Sequence, residues 1–422
     1  MQGYIRKILE ARVYDVAEQT SLDEARGLSE RLSNHVLLKR EDQQPVYSFK
    51  IRGAYNRMVQ LSEEEKARGV ITASAGNHAQ GVAFSARHLG IKATIVMPKT
   101  TPSVKVDNVR RMGGKAVLHG DAFDDARKHA QKLMEEKGLT YIPPYDDPEV
   151  IAGQGTIGME ILRQHTGHID AIFVPVGGGG IIAGIAAYVK YLRPEIKVIG
   201  VESDDSACLA LAMKEGYRAV LDQVGLFADG VAVAQIGEYT WDICKDHVDE
   251  VITVSVDEMC AAIKDIYDDT RSISEPAGAL GVAGLKAYVE REKCTGKTLV
   301  AINSGANVNF DRLRHIAERS ELGEKREMLV AAEIPESPGS FKNFCKALGN
   351  RNITEFNYRY ADSSKAIVFA GVQVNPNNGG RAELMTELNK ELSKVVDLTD
   401  NEMAKIHIRY MVGGHKPTNV NH

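Results

Sequence analysis

The sequence predicts an α/β protein with a smaller α+β unit at its C-terminal end. Three observations carry that reading. Between residues 69 and 320, short β-branched runs alternate with helical patterns, as in a parallel sheet covered on both faces. Glycine-bearing loops follow two of those runs, and ligands in such sheets bind beyond the carboxyl ends of the strands. After the charged stretch AERSELGEKRE (317–327) the pattern changes to strands with alternating faces.

The elements follow in order. VYSFKIRGAY (46–55) places Val46, Phe49, Ile51 and Ala54 as apolar positions of an element entering a core, with Lys50 among them. GVITAS (69–74) is a strand, and NHAQGVAFSARHLG (77–90) a helix that ends at Gly90. KATIVMP (92–98) is a strand closed by proline, and KAVLHG (115–120) is followed by a helix from about residue 121 to 137. AIFVPV (171–176), KVIGVE (197–202) and TLVAINS (298–304) complete the series. The uncharged run 171–189 is almost long enough to span a bilayer. Pro175 and the glycines 177–180 cut it instead into strand, turn and helix. In the tail, MLVAAEIPESPGSFKNFCKAL reads as strand, turn and helix, followed by strands ITEFNYRYAD and KAIVFAGVQV. A helix near 380–393 and a last strand, IHIRYMV (406–412), complete the unit, with a domain boundary near 320–328.

Length and composition narrow the class. At roughly 150 residues per domain, 422 residues make two or three domains with ample core. The net charge of -5 and the absence of a dense basic cluster argue against nucleic-acid binding. Five scattered cysteines without a C-x-x-C pair suggest free thiols in a reducing compartment, with no zinc site. Charged residues through the first 20 positions argue against a signal peptide, so a cytoplasmic location is expected, without a membrane partner.

The motifs each admit two readings. Lys50 is either a snorkelling side chain or a desolvated amine that captures carbonyls. VPVGGGGIIAG (174–184) runs a strand through Gly177, Gly178, Gly179 and Gly180 into a helix, an arrangement suited to an anion. Gly178-x-Gly180-x-x-Ala183 with Glu202 also fits a dinucleotide fingerprint, although that fingerprint belongs at a first strand. TASAGNHAQG (72–81) offers Ser74, Ala75, Gly76, Asn77 and His78 as a carboxylate-binding turn, or only a helix start capped by Asn77. Read blandly, His78 is a packing histidine. Glu275 in SEPAGAL (274–280) is a ligand-side acid or a cap, and Ser304 in NSGANVNF (303–310) a ring-nitrogen donor or a turn cap. One ligand satisfies all of these together: pyridoxal phosphate, with a phosphate at one end and an aldehyde at the other.

SFKIRGA, TASAGNHAQG, VPVGGGG, EPAGAL and NSGAN, in this order, resemble the tryptophan-synthase-β-like, fold type II pyridoxal-phosphate enzymes. VESDDSACLALA, ITEFNYRYAD and HIRYMVGG extend the resemblance to the biosynthetic threonine dehydratases (threonine ammonia-lyases) over nearly the whole chain. The resemblance implies a catalytic domain over 1–320, with a small subdomain at about 42–144 inserted in a large one. It implies an ACT-like regulatory domain at 328–422, of which this chain has a single copy. Lys50 would bind the cofactor aldehyde and take the Cα proton, with Phe49 near the ring. Asn77 would bond the ring hydroxyl, Gly177 to Gly180 the phosphate, and Ser304 the pyridine nitrogen, with Glu275 beside the cofactor. Residues 74–78 would hold the substrate carboxylate. The implied reaction converts L-threonine to 2-oxobutanoate and ammonia, or L-serine to pyruvate, at the first step of isoleucine biosynthesis. Isoleucine is the implied inhibitor and valine its antagonist, in a homo-oligomer, dimer or tetramer. Serine racemases resemble the chain in the same motifs but carry a serine as second base where this sequence has Ala75. Catalytic loss, leaving an amino-acid sensor, is an alternative of another class.

Overall fold

The alternating series is divided between two sheets, as the resemblance to fold type II enzymes implies. The computed structural model describes residues 2–360, 364–375, 379–401 and 403–405. The chain separates into units Met1–Leu313 and Arg314–His422. The division falls at the start of helix Leu313–Gly323, ahead of the boundary suggested by composition.

In the first unit the larger sheet has six strands. Its order is Leu22–Glu24, His35–Arg40, Thr298–Asn303, Ala171–Pro175, Lys197–Ser203, Glu250–Val254. Only the first pair is antiparallel. The smaller sheet is fully parallel, in the order Lys115–Leu118, Ala93–Met97, Val70–Ala73, Thr140–Tyr141. Central strands of both sheets are continuous apolar runs because helices cover both faces: Ala171–Pro175 and Val70–Ala73 are buried throughout. The uncharged 171–189 run is that strand plus the first turns of buried helix Gly180–Leu192. Among the described residues, no helix is long and apolar enough to cross a membrane.

Two devices fix helix Lys50–Val59, which carries the first motif. Glycines let it cross helix Pro148–Gln164 at close range: a Cβ on Gly153 would lie 2.7 Å from the Arg52 carbonyl oxygen. Beside the crossing lies a buried ion cluster. The Arg52 guanidinium grips both oxygens of Glu41, each at 2.8 Å, and both of Glu160, at 2.5 and 2.9 Å. Lys39 adds a 2.6 Å bond to Glu160. These four side chains are at most 1% exposed, and their charges cancel. Removing one partner of such a set costs about 3–5 kcal/mol, since the others stay buried and unpaired. The cluster therefore locks the first turn of the helix, where Lys50 sits.

The second unit is a four-stranded antiparallel sheet in the order Ile353–Tyr360, Lys365–Gln373, Glu327–Pro335, Lys394–Asp397. Helices Ser340–Ala347 and Gly380–Glu391 contribute Phe344, Leu384 and Leu388 to its core, against Met328, Val330, Ala332 and Ile334 from alternate positions of one strand. The expected strand 406–412 lies outside the described residues. The fourth described strand is Lys394–Asp397, which the sequence reading passes over.

Candidate active site

The distant motifs meet through backbone. Ser48 bridges Gly305 in antiparallel fashion. The Phe49 amide donates to the Ser304 carbonyl at 3.2 Å, and the Ala306 amide to that of Tyr47 at 2.9 Å. SFK and NSGAN thus run side by side, although separated by most of the catalytic unit. Helix Asn77–Leu89 closes on the same point, with Gly81 so near that a Cβ would lie 3.2 Å from the Lys50 carbonyl.

Lys50 is partly buried, with its ammonium 5.1 Å from the Phe49 ring centroid. Its Nζ donates to the Pro144 carbonyl at 2.9 Å. Desolvation lowers its pKa to about 8, while the negative charge of Glu275 works the other way. The group therefore gives up its proton far more readily than an ordinary lysine, and it is not free of a partner. Snorkelling does not describe it.

Asn77 is the first residue of its helix, not the cap; Gly76 holds the cap position. The Asn77 side chain instead donates to Glu275 Oε1 at 2.6 Å and accepts from the Asn307 amide at 2.8 Å. Glu275 occupies the cap position of helix Pro276–Glu292 without a side-chain capping bond. Burial, with Asp229 nearby, pushes its carboxyl up to about 7. Ser304 is buried, and its hydroxyl has a single long contact, 3.4 Å to the Ala277 carbonyl. The space above Gly76 is open, since a Cβ there would meet nothing within 4 Å. The Gly76 amide donates to Ser74 Oγ at 3.3 Å. Ala75 carries no titratable group. His78 is buried, with Nε2 2.9 Å from the Ile142 carbonyl, and desolvation lowers its pKa to about 3. The imidazole is thus a neutral, satisfied group, as its bland reading had it.

At the other end lies the glycine loop. Gly177, Gly178, Gly179 and Gly180 are buried, and Gly179 has φ +92°, where glycine is favoured. The amides of Gly177, Gly178 and Gly179 donate to no protein acceptor among the described residues. Gly180 opens a helix, so its amide has no intrahelical acceptor either. Buried amides without acceptors are costly unless a ligand satisfies them. The glycines are also demanded by packing: a Cβ on Gly178 would lie 2.4 Å from the Tyr145 ring. Glu202 removes the dinucleotide alternative. Its carboxylate accepts from the amides of Leu209 and Ala210, both at 2.8 Å, so it caps a helix and is not presented to a ribose.

Comparison with known proteins gives the family of the chain. Residues 13–305 match the family described as pyridoxal-phosphate dependent enzyme, and residues 318–408 the C-terminal regulatory domain of threonine dehydratase. L-threonine dehydratase biosynthetic IlvA of Burkholderia multivorans is 58% identical over 98% of this chain and 82% of its own length. The chain belongs to the family of biosynthetic threonine dehydratases. The solved structure of processed threonine deaminase isoform 2 from Solanum lycopersicum is 52% identical, with TM-score 0.74, over 75% of this chain and 92% of that one. Maize serine racemase is 32% identical, with TM-score 0.70, over 74% and 95% respectively.

The cofactor of these dehydratases is pyridoxal phosphate, and the residues present fit it. A lysine of lowered pKa suits the aldehyde, and a cluster of unanswered amides suits the phosphate. A nearly unpartnered buried hydroxyl suits the ring nitrogen. Sequence reasoning missed the segment 142–147, which touches Lys50, His78 and the glycine loop. Its prolines mark it only as a loop.

Proposed function

We propose that the chain is a threonine ammonia-lyase that converts L-threonine to 2-oxobutanoate and ammonia, and L-serine to pyruvate. The observation that carries this is the joining, through residues 144–145, of Lys50, a partly buried amine of lowered pKa, to a buried cradle of amides without acceptors. When bound, pyridoxal phosphate supplies an electron sink that acidifies the Cα–H of an attached amino acid.

This chain's residues do the rest. The turn 74–78 orients the substrate carboxylate through backbone amides at a helix start, above the open face of Gly76. Lys50, with its pKa near 8, takes the Cα proton. Asn77, fixed between Glu275 and Asn307, would hold the cofactor's ring hydroxyl. Ser304 would offer the ring nitrogen a hydrogen bond without a negative charge, an arrangement that would favour prompt loss of the β-hydroxyl. Ala75 gives the opposite face no second base, which disfavours racemisation. Water leaves across Cα–Cβ, and the released enamine tautomerises and hydrolyses to keto acid and ammonia.

The second unit has the core of an independent regulatory domain, and isoleucine is its proposed effector. A cytoplasmic homo-oligomer, dimer or tetramer, completes the reading. The test is direct. Purified protein with pyridoxal phosphate should be yellow, and borohydride should bleach it and tag Lys50. Threonine should yield keto acid and ammonia in equal amounts. A protein that tags no lysine, or tags another one, sinks the assignment.

A further inference from the structure

Residues 142–147 form a strap from the small sheet to helix Pro148–Gln164. At its two ends the anchors are firm. His78 Nε2 meets the Ile142 carbonyl at 2.9 Å. Asp147 caps the helix through the Glu149 and Val150 amides and pairs with Arg57 at 3.1 Å. Between the anchors, three consecutive residues reach both ends of the site. The Pro144 carbonyl accepts from Lys50 Nζ at 2.9 Å. The Tyr145 ring lies on Gly178, and its backbone on Gly180. The Asp146 carboxylate accepts from the amides of Glu238 and Tyr239, both at 2.8 Å, and fixes the start of helix Glu238–His247.

That helix start controls the loop. Thr240 Oγ1 donates to the Gly178 carbonyl at 2.8 Å, and the Gly237 amide to the same oxygen at 3.3 Å. In a trans peptide the C=O and the following N–H point in opposite directions. Two donors on the Gly178 oxygen therefore turn the Gly179 amide the other way, away from the start of helix Glu238–His247. A rigid cofactor requires its aldehyde and phosphate seats at one fixed separation. Small errors in such placement are expensive to binding and catalysis.

We propose that the strap 144–146 sets this separation, with Asp146 and Thr240 as positioning residues for the phosphate end. The proposal rests on the reading of Lys50 and the glycine loop given above. Its test uses the full-length protein and two probes, pyridoxal phosphate and phosphate-free pyridoxal. Absorbance titration gives the affinities, and borohydride trapping gives the extent of capture at Lys50. In Thr240→Val and Asp146→Ala, affinity for pyridoxal phosphate should fall about tenfold or more, about 1.4 kcal/mol. Capture of pyridoxal should stay within about twofold, because the anchors at Lys50 and His78 are untouched. Thr240→Ser and Asp146→Asn, which keep an oxygen at the same place, should recover most of the loss. Equal weakening of both probes would mean a merely structural role and overturn the proposal, as would no weakening of either. Should Asp146→Ala not fold, the two Thr240 variants decide alone. A parent that captures neither probe at Lys50 condemns the active-site reading itself, and this proposal with it.

Discussion

Asn77 and Glu275 are joined by a 2.6 Å bond across 198 residues of sequence. The bond ties the turn proposed for the substrate to the acid that faces Lys50. Glu275 raises the pKa of Lys50 while burial lowers it, so the two groups set the amine's charge together.

Glu275→Gln should therefore make Lys50 easier to deprotonate. In the parent, capture of pyridoxal phosphate should reach half its limiting rate near pH 8 and fall as pH decreases. Removing the nearby negative charge destabilises the ammonium, and the midpoint should move to lower pH. An unmoved or higher midpoint, measured by stopped-flow absorbance, refutes the electrostatic account. His78 titrates near 3, so it should add no inflection between pH 5 and 8.

The absence of a base at Ala75 predicts elimination without racemisation. L-serine should yield pyruvate and ammonia with little D-serine. Ala75→Ser should raise D-serine formation measurably on chiral chromatography. Parental racemisation at a rate comparable to elimination contradicts the argument.

Ser304→Asp places a carboxylate beside the proposed ring nitrogen. Cofactor should remain bound while elimination slows by about tenfold or more, about 1.4 kcal/mol in the barrier. A long-wavelength absorbing species should persist after threonine is added. Elimination at the parental rate would show that Ser304 is not the partner of the ring nitrogen.

Gly178→Ala puts a Cβ 2.4 Å from the Tyr145 ring. The resulting overpacking, typically about 1–3 kcal/mol, should weaken pyridoxal phosphate binding. Tyr145→Ala in the same chain should relieve it. If the double variant binds no better than the single, the ring is not what the glycine accommodates.

Deletion of residues 328–422 should leave an active enzyme that isoleucine no longer inhibits. In the full chain, isoleucine should lower activity at subsaturating threonine. Coupling of about 5–150-fold corresponds to about 1–3 kcal/mol between two states of different affinity. Calorimetry showing no isoleucine binding to the full chain would leave the second unit without its proposed effector.

What the sequence disclosed was mostly local. The strands GVITAS, KATIVMP and AIFVPV and the helix from Asn77 are readable because apolar runs end at glycine or proline. The split into two sheets is not local, since it depends on which strands pair. His35–Arg40 escaped notice because it ends in Lys39 and Arg40, charges that suggest surface but are buried in ion pairs. The chemistry of Lys50, Asn77 and the glycine loop could be named as residue types in sequence. Their partners could not, because Pro144, Glu275, Asn307 and Thr240 are supplied by tertiary contacts. Asn77 is the clearest example: spacing alone fits a helix cap, and only the folded chain shows its amide turned towards Glu275.

The pairing of His35–Arg40 with Thr298–Asn303, and of Ser48 with Gly305, bears on how the chain emerges from the ribosome. The small sheet, closed by Thr140–Tyr141, has all its strands early. The N-terminal strands and the Lys50 segment must wait for residues translated far later. At synthesis rates of about 5–20 residues per second, that wait lasts roughly 10–50 seconds. During it, the apolar face of strand His35–Arg40 is uncovered in the nascent chain, and Lys50 remains an ordinary solvated ammonium. A chaperone that grips the first 60 residues, and releases them once the Thr298–Asn303 strand appears, would match the order in which this architecture can close.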